Sequence, residues 1–376
     1  MERFLRNVKT AATSTSTPTN NFHVVIGNES ADLDSFVCAI SHAFYLSIKN
    51  PRNSNNTLYL PVVAVKSEDL VLRTEIIALL ERLDISPSDI VHLDEVDFAN
   101  LPITEVTLVD HNNKAQHLEH LSHLVRTIVD HHEDSGDFTS HDVTKTIQTV
   151  GSCSTLIAEQ IFYDKSPQCK DLLSRRPLAE LLVSAMLIDT YNLDLHSGRT
   201  TELDIFMAEI LSQYLTDEDG GVDALFGFLQ EAKMDITSMT TYNILRKDYK
   251  PVVTTPGNSL RLGISSVTME SDGLVQRFDF VESCEKWSVK MELDVLLVMF
   301  LSFSEGSTAP NREICVHGVE KYRDVVCDYL LSNTELKGVE KHRNFPPSVR
   351  VFDHNPKMSR KFVLPLLQKM SNAAEK

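Results

Sequence analysis

The chain is short of the features that would place it in several broad classes. Its six cysteines (Cys38, Cys153, Cys169, Cys284, Cys315 and Cys327) are scattered over 376 residues with no C-x-x-C pair. That spacing argues against a structural zinc site or a redox dithiol and fits reduced thiols in the cytoplasm. Trp287 is the single tryptophan, too little aromatic surface to suggest a platform for stacking bases. No apolar run approaches the ~18 residues of a membrane span, and the longest candidate, Val295 to Leu301, reads as a buried strand. Positive charge is scarce: 36 Lys plus Arg against 53 Asp plus Glu leave −17. A field of that sign repels phosphodiester backbones and anionic lipid, so neither nucleic acid nor a membrane is expected as a partner. A phosphate ligand would have to be caught locally, by metal ions or by a cationic pocket.

What the chain does contain is an alternation of short apolar runs and helical patterns from Phe22 to about Tyr191, the signature of a parallel sheet with crossover helices. Phe22 to Ile26, Leu58 to Val65, Ile90 to Leu93, Val106 to Val109, Arg126 to Val129 and Lys145 to Val150 read as strands. Asp34 or Ser35 is placed to cap the first long helix. Thr201 to Leu215 reads as a connecting helix, and Asp217 to Gly221 as a linker. The expected fold is α/β in two domains, 1–212 and a smaller 222–376, with further strands at Leu260 to Val267, Val295 to Phe303 and Glu313 to Val316. The first twenty residues carry Arg3, Arg6 and Lys9 and read as a short helix and linker rather than a targeting peptide. From Lys337 onward the chain is locally basic, a candidate anion-binding surface in so acidic a protein.

Four segments of the first half end an element in aspartate: Asp32 and Asp34, Asp110, Asp130 with His131 and His132, and Asp189. Several carboxylates at one sheet edge repel one another and lose hydration unless cations neutralise them. Oxygen ligands with one or two imidazoles favour Mg²⁺ or Mn²⁺ over zinc, and a carboxylate shared by two ions is the arrangement that cleaves phosphoester and phosphoanhydride bonds.

These residues carry a resemblance. Gly27 to Ser35, Leu108 to Asn112, Ile128 to His132 and Leu187 to Thr190 are similar to the four motifs of the DHH phosphoesterase superfamily. Leu245 to Lys250 and Met358 to Lys361 resemble signatures of the second domain shared by family II inorganic pyrophosphatases, yeast-type cytosolic exopolyphosphatases and the prune proteins. The resemblance implies an active site in the cleft between two domains. It assigns Asp32 and Asp110 to one metal and Asp34, Asp110, His131 and Asp189 to another, with Asp110 bridging. It places Asp110, Asp130 and His132 in catalysis, and Asn28, His132, Lys250, Arg360 and Lys361 at the substrate. The implied cofactors are two divalent ions, Mg²⁺ first, with Mn²⁺ or Co²⁺ as alternatives.

Asn28 stands where family II pyrophosphatases carry a histidine ligand, and Gly151 to Ser154 also resembles the exopolyphosphatase and prune branch. The expected activity is therefore a cytoplasmic, monomeric, metal-dependent exopolyphosphatase that releases orthophosphate from the ends of inorganic polyphosphate. The alternatives are an inorganic pyrophosphatase, a phosphodiesterase, and a prune-like regulatory scaffold. Plainer readings cover the rest: His117, His120 and His123 as a polar face, His342, Arg343 and Asp353 to Asn355 as loop, and Cys153 as a packing residue rather than a nucleophile.

Overall fold

The computed structural model describes residues 1–14, 20–51, 56–215, 220–253, 260–304, 309–341 and 345–370. His342, Arg343 and most of the Asp217 to Gly221 stretch lie outside them, as does the side chain of His117. The chain divides into two compact units, Met1–Asp235 and Ile236–Lys376.

The first unit runs α1 (Glu2–Ala12), β1 (Asn21–Ile26), α2 (Leu33–Lys49), β2 (Thr57–Val62), α3 (Thr74–Arg82), β3 (Ile103–Val109), β4 (Val125–Asp130), β5 (Thr144–Ile147), α4 (Cys153–Tyr163), α5 (Arg176–Asp189), α6 (Glu202–Ser212) and α7 (Gly221–Met234). Its five strands pair in parallel in the order β2-β1-β3-β4-β5. Both faces are covered, which is why the strands read as continuous apolar runs. Val25, Val109 and Val129 point into the layer of α2, α4 and α5. Phe22, Val24, Ile26, Leu108 and Ile128 point into the opposite layer, together with Val8 and Ala12 of α1. Lys9 is also tied to Glu95 at 2.8 Å, so the N-terminal helix is part of this core.

Three local readings are corrected. Ile90 to Leu93 is no strand of the sheet; a single bridge from His92 to Val63 interrupts 3₁₀ turns at Pro87–Asp89 and Leu93–Glu95. The cap of α2 is Asp32, whose carboxylate accepts from the Ser35 amide at 3.2 Å, while Asp34 and Ser35 lie inside the helix. The helix that follows the acidic stretch, α7, packs into the first core through Leu225 and Leu229, so the two units part after it rather than before it.

The second unit comprises α8 (Thr241–Lys247), β6 (Tyr249–Val252), β7 (Leu262–Val267), α9 (Ser271–Val275), α10 (Phe280–Lys290), β8 (Val295–Phe303), β9 (Pro310–Gly318), α11 (Glu320–Leu331), β10 (Val339–Glu340), β11 (Val349–Asp353) and α12 (Arg360–Gln368). Its sheet has the order β10-β11-β9-β8-β7-β6 and is antiparallel except for the β7–β8 pair. Apolar residues fill both faces here as well. Among the described residues no helix is long and apolar enough to cross a membrane.

His42 on α2 is 3% exposed. Burial, helped by the charges of His23 and Lys49, pushes its pKa from 6.5 down to about 3. Below pH 6.5 the unfolded chain binds a proton that the folded chain refuses, so stability rises with pH across that window and is lost as pH falls, by about 1.4 kcal/mol per unit for one group. Urea unfolding from pH 7 to pH 5 should therefore show a shallower loss for His42→Gln than for the parent. Equal slopes would contradict the assignment.

Candidate metal centre

In a parallel sheet of order 2-1-3-4-5 the chain reverses its direction of winding between β1 and β3, and the crevice beyond their carboxyl ends is where such folds bind ligands. Three of the four acidic segments follow strands β1, β3 and β4 at or near that point, and Asp189, at the end of α5, feels the charges of Asp34, Asp32 and Asp110. After β1 the chain turns tightly through Gly27, where a Cβ would sit 2.1 Å from Ser35 Oγ, so only glycine fits. Asn28 follows: its Oδ1 accepts from the Ser30 and Ala31 amides at 2.9 and 3.2 Å, and its Nδ2 reaches across the reversal to Asp110 Oδ2 at 2.7 Å.

Asp110 directly follows β3 with φ +60°, left-handed backbone that costs a non-glycine residue about 1–2 kcal/mol. Strain of this kind collects at functional sites. Its Oδ1 lies 3.3 Å from His131 Nε2, and Asp34 Oδ2 lies 3.9 Å from the same nitrogen. His131 Nδ1 is 2.9 Å from the Val150 carbonyl, an acceptor, so Nδ1 carries a proton and Nε2 is the nitrogen that faces the two carboxylates. Asp110, His131 and His132 can each offer a ligand atom within 4.8 Å of the others.

Asp34 is gripped from below. One oxygen accepts from Ser152 Oγ, Ser154 N and Ser154 Oγ at 2.7, 2.9 and 2.8 Å; the other accepts from the Cys153 amide at 2.6 Å. These donors form the N-terminus of α4, whose dipole also favours an anion there. Cys153 has no nucleophile's setting: it is fully buried, its Sγ donates to the Val129 carbonyl, and burial pushes its thiol up to about 12. Asp130 is fully buried too; one oxygen takes the amides of His131 and His132 at 2.8 and 3.2 Å and His132 Nδ1 at 2.8 Å. The ring of His132 remains 59% exposed.

Charge is not balanced in this cluster. Burial, followed by repulsion from Asp34 and Asp32, pushes Asp110 up to about 8, although the bond from His131 pulls the other way. Asp189 is also raised, by burial and by the field of Asp34, Asp32 and Asp110. It closes α5 at the end where the helix dipole is itself negative. Burial disfavours charge on His131, but the Asp110 bond and the Asp34 field more than offset this and lift the imidazole to about 10. Carboxylates driven towards protonation and an imidazole driven towards charge together mark a place short of positive charge. The donor set, carboxylate oxygens with one or two imidazole nitrogens, fits a hard divalent cation.

Two positioning residues have no role assigned by the sequence, although Asn112 closes the Leu108 to Asn112 motif. Asn112 donates to Asp130 and to the Glu133 carbonyl and accepts the Ser135 amide at 2.7 Å, which locks the Asp-His-His turn. Asp204, fully buried, accepts from Gly151 N, Thr155 Oγ1, Thr201 N and Thr201 Oγ1 at 2.6–2.8 Å. It thereby anchors the segment that holds Asp34; its one sequence signal is the capping box Thr201-x-x-Asp204.

The other expected site residues belong to the second unit. Arg360 and Lys361 open α12, and the Arg360 guanidinium bonds the Asp248 carbonyl and carboxylate at 2.9 and 2.8 Å, two residues before Lys250 on β6. The three cations thus gather at one corner of that unit, with Lys250 and Lys361 exposed. Other members of the basic stretch are spent internally: Arg350 on Glu340 and Lys341 on Glu313.

Two family models match the chain. Residues 23–186 match the DHH family, N-terminal domain, and residues 228–370 match the DHHA2 domain. Exopolyphosphatase PRUNE1 of Bos taurus is 31% identical over 99% of this chain and 80% of its own length. The Homo sapiens protein of the same name is 30% identical over the same shares. A manganese-dependent inorganic pyrophosphatase of Methanocaldococcus jannaschii is 27% identical over 60% of this chain and 66% of its own.

Proposed function

We propose, for a chain that belongs to the DHH family, that it is a metal-dependent exopolyphosphatase, cutting the terminal phosphoanhydride bond of inorganic polyphosphate and releasing orthophosphate. The observation that carries this reading is the convergence of Asp34, Asp110 and His131 at the reversal point of the sheet, in a chain similar over its whole length to exopolyphosphatases. Asp34, Asp110, His131 and Asp189 would hold one divalent ion, Mg²⁺ or Mn²⁺, and Asp32 with Asp110 a second. Such ions, when bound, make water nucleophilic near neutral pH and offset the charge that builds on phosphoryl oxygens.

The chain's own groups do the rest. Asn28 orients the shared carboxylate of Asp110 through its amide, and Val150 fixes the His131 tautomer. Asp130 holds His132 by Nδ1, which leaves Nε2 of an exposed ring turned away from Asp130 and open to the substrate phosphate. We assign Lys250, Arg360 and Lys361, gathered at one corner of the second unit with Arg360 braced by Asp248, to phosphate binding.

Pyrophosphate hydrolysis is the second reading, since a pyrophosphatase is among the relatives. One observation favours the first. Both ends of the Asn28 amide are occupied, by Asp110 and by Ser30 and Ala31, so this side chain acts as a brace and not as the metal ligand a histidine would be. Initial rates of phosphate release from pyrophosphate, tripolyphosphate and longer chains, each with Mg²⁺, Mn²⁺ or a chelator, test the proposal. Tripolyphosphate and longer chains should be cut faster than pyrophosphate, and the chelator should abolish release. A preference for pyrophosphate, or turnover that survives chelation, would sink it.

A further inference from the structure

The loop that follows Asp189 is unusual in its backbone. Tyr191, Asn192 and Leu193 all have positive φ, at 51°, 61° and 61°. Three consecutive non-glycine residues in the left-handed region cost about 1–2 kcal/mol each, and such strain persists only where the surroundings over-determine it. They do so here. The Thr190 carbonyl accepts the Asp194 amide at 3.0 Å and Thr200 Oγ1 at 3.2 Å, Thr190 Oγ1 accepts the Leu193 amide at 3.0 Å, and Asn192 donates to Asp223 at 2.7 Å. Gly151, next to the donors that hold Asp34, packs so closely on this loop that a Cβ would lie 2.4 Å from Thr190 and 3.0 Å from the Arg199 carbonyl.

The strained turn sets the Tyr191 ring under the Arg199 guanidinium, 5.3 Å from its carbon. Both side chains are exposed, and among the described residues no carboxylate or carbonyl engages that guanidinium. Other basic groups bordering the first unit's acids are spent: Arg73 on the Ala31 and Ser30 carbonyls, Lys145 on Asp134. In an acidic protein, an unspent arginine stacked on a ring two residues after Asp189 is placed for an anion.

We infer that Arg199, stacked on Tyr191, binds a phosphate of the substrate beyond the terminal one and thereby favours tripolyphosphate and longer chains over pyrophosphate. The inference rests on the exopolyphosphatase reading and adds a length-selecting residue to it. A guanidinium–phosphate contact at an exposed site lies at the weak end of charge-assisted bonds, and tenfold is the scale to expect.

The test is Arg199→Ala, with Mg²⁺, on pyrophosphate, tripolyphosphate and long-chain polyphosphate, alongside the melting temperature of each protein with and without tripolyphosphate. The expected result is a fall in kcat/KM about tenfold greater for tripolyphosphate and polyphosphate than for pyrophosphate, carried mainly by KM, at an unchanged ligand-free melting temperature. Equal losses on all substrates, or no loss, would overturn the inference. If the parent releases no phosphate from any of these, the exopolyphosphatase reading fails by itself, and the melting shift then decides for Arg199. A smaller shift by tripolyphosphate in the variant supports the phosphate contact, and an equal shift removes it.

Discussion

Asp110→Asn is expected to lower phosphate release by at least about a thousandfold while the protein stays folded. The carboxylate lies against His131 and Asn28 in a buried crevice, within the field of Asp34 and Asp32. Losing its charge removes a donor from both proposed ions, and electrostatic groups of this kind are worth several kcal/mol to a transition state. Asparagine is preferred over alanine for the test because it tolerates the left-handed backbone at this position. The fold should not suffer. Without metal the parent carries a carboxyl raised from 3.8 to about 8, so between these values the folded chain holds a proton that the unfolded chain has lost. Metal-free stability therefore falls as pH rises through that window, by about 1.4 kcal/mol per unit. The asparagine variant should lack that slope and should also lose the rise in melting temperature that Mg²⁺ or Mn²⁺ gives the parent. Activity within tenfold of the parent, or an undiminished metal-induced shift, would contradict the shared-ligand role.

The acids proposed as metal ligands stand out in the sequence because they follow or end apolar strands and helices, and a parallel sheet delivers the residues after its strands to one edge. Asp110 and Asp130 leave β3 and β4 side by side, Asp34 follows β1, and Asp189 ends α5. Elements whose pattern is short or broken were harder to see. β6 contains Pro251, which strips a donor and is tolerated only because that strand is at the sheet's edge. β10 is two residues long, and β11 follows Pro346 and Pro347, which read as loop. The cap of α2 is ambiguous in the sequence for a related reason: Asp32, Asp34 and Ser35 are all good cap residues, and the tie is broken by Asp34 being drawn to a helix N-terminus 120 residues further along the chain. Asn112 and Asp204 act through bonds to residues 18–23 and 49–53 positions away, contacts that local periodicity does not encode.

Asp204→Ala should unfold the first unit's site from a distance and destabilise the protein by about 3–5 kcal/mol, the scale for breaking a buried charged network. Four donors lose their acceptor together, and two of them, the Gly151 amide and Thr155 Oγ1, are buried away from water. In a unit of this size that loss lowers the melting temperature by roughly 10 °C. The consequence for chemistry follows from the chain: Gly151 and Thr155 bracket Ser152, Cys153 and Ser154, which donate all four of the strong bonds to Asp34. When the bracket loosens, Asp34 loses its fixed orientation before any metal ligand has been changed. The variant should therefore need more Mg²⁺ or Mn²⁺ for half-maximal phosphate release and recover part of its rate when the metal is raised. Asp204→Asn keeps the shape but turns an NH₂ group towards N–H donors, so it should fall between alanine and the parent in melting temperature. A parent-like melting temperature in Asp204→Ala would show that this carboxylate does not support the segment. A lowered melting temperature with unchanged metal dependence would show that the segment does not set the geometry of Asp34.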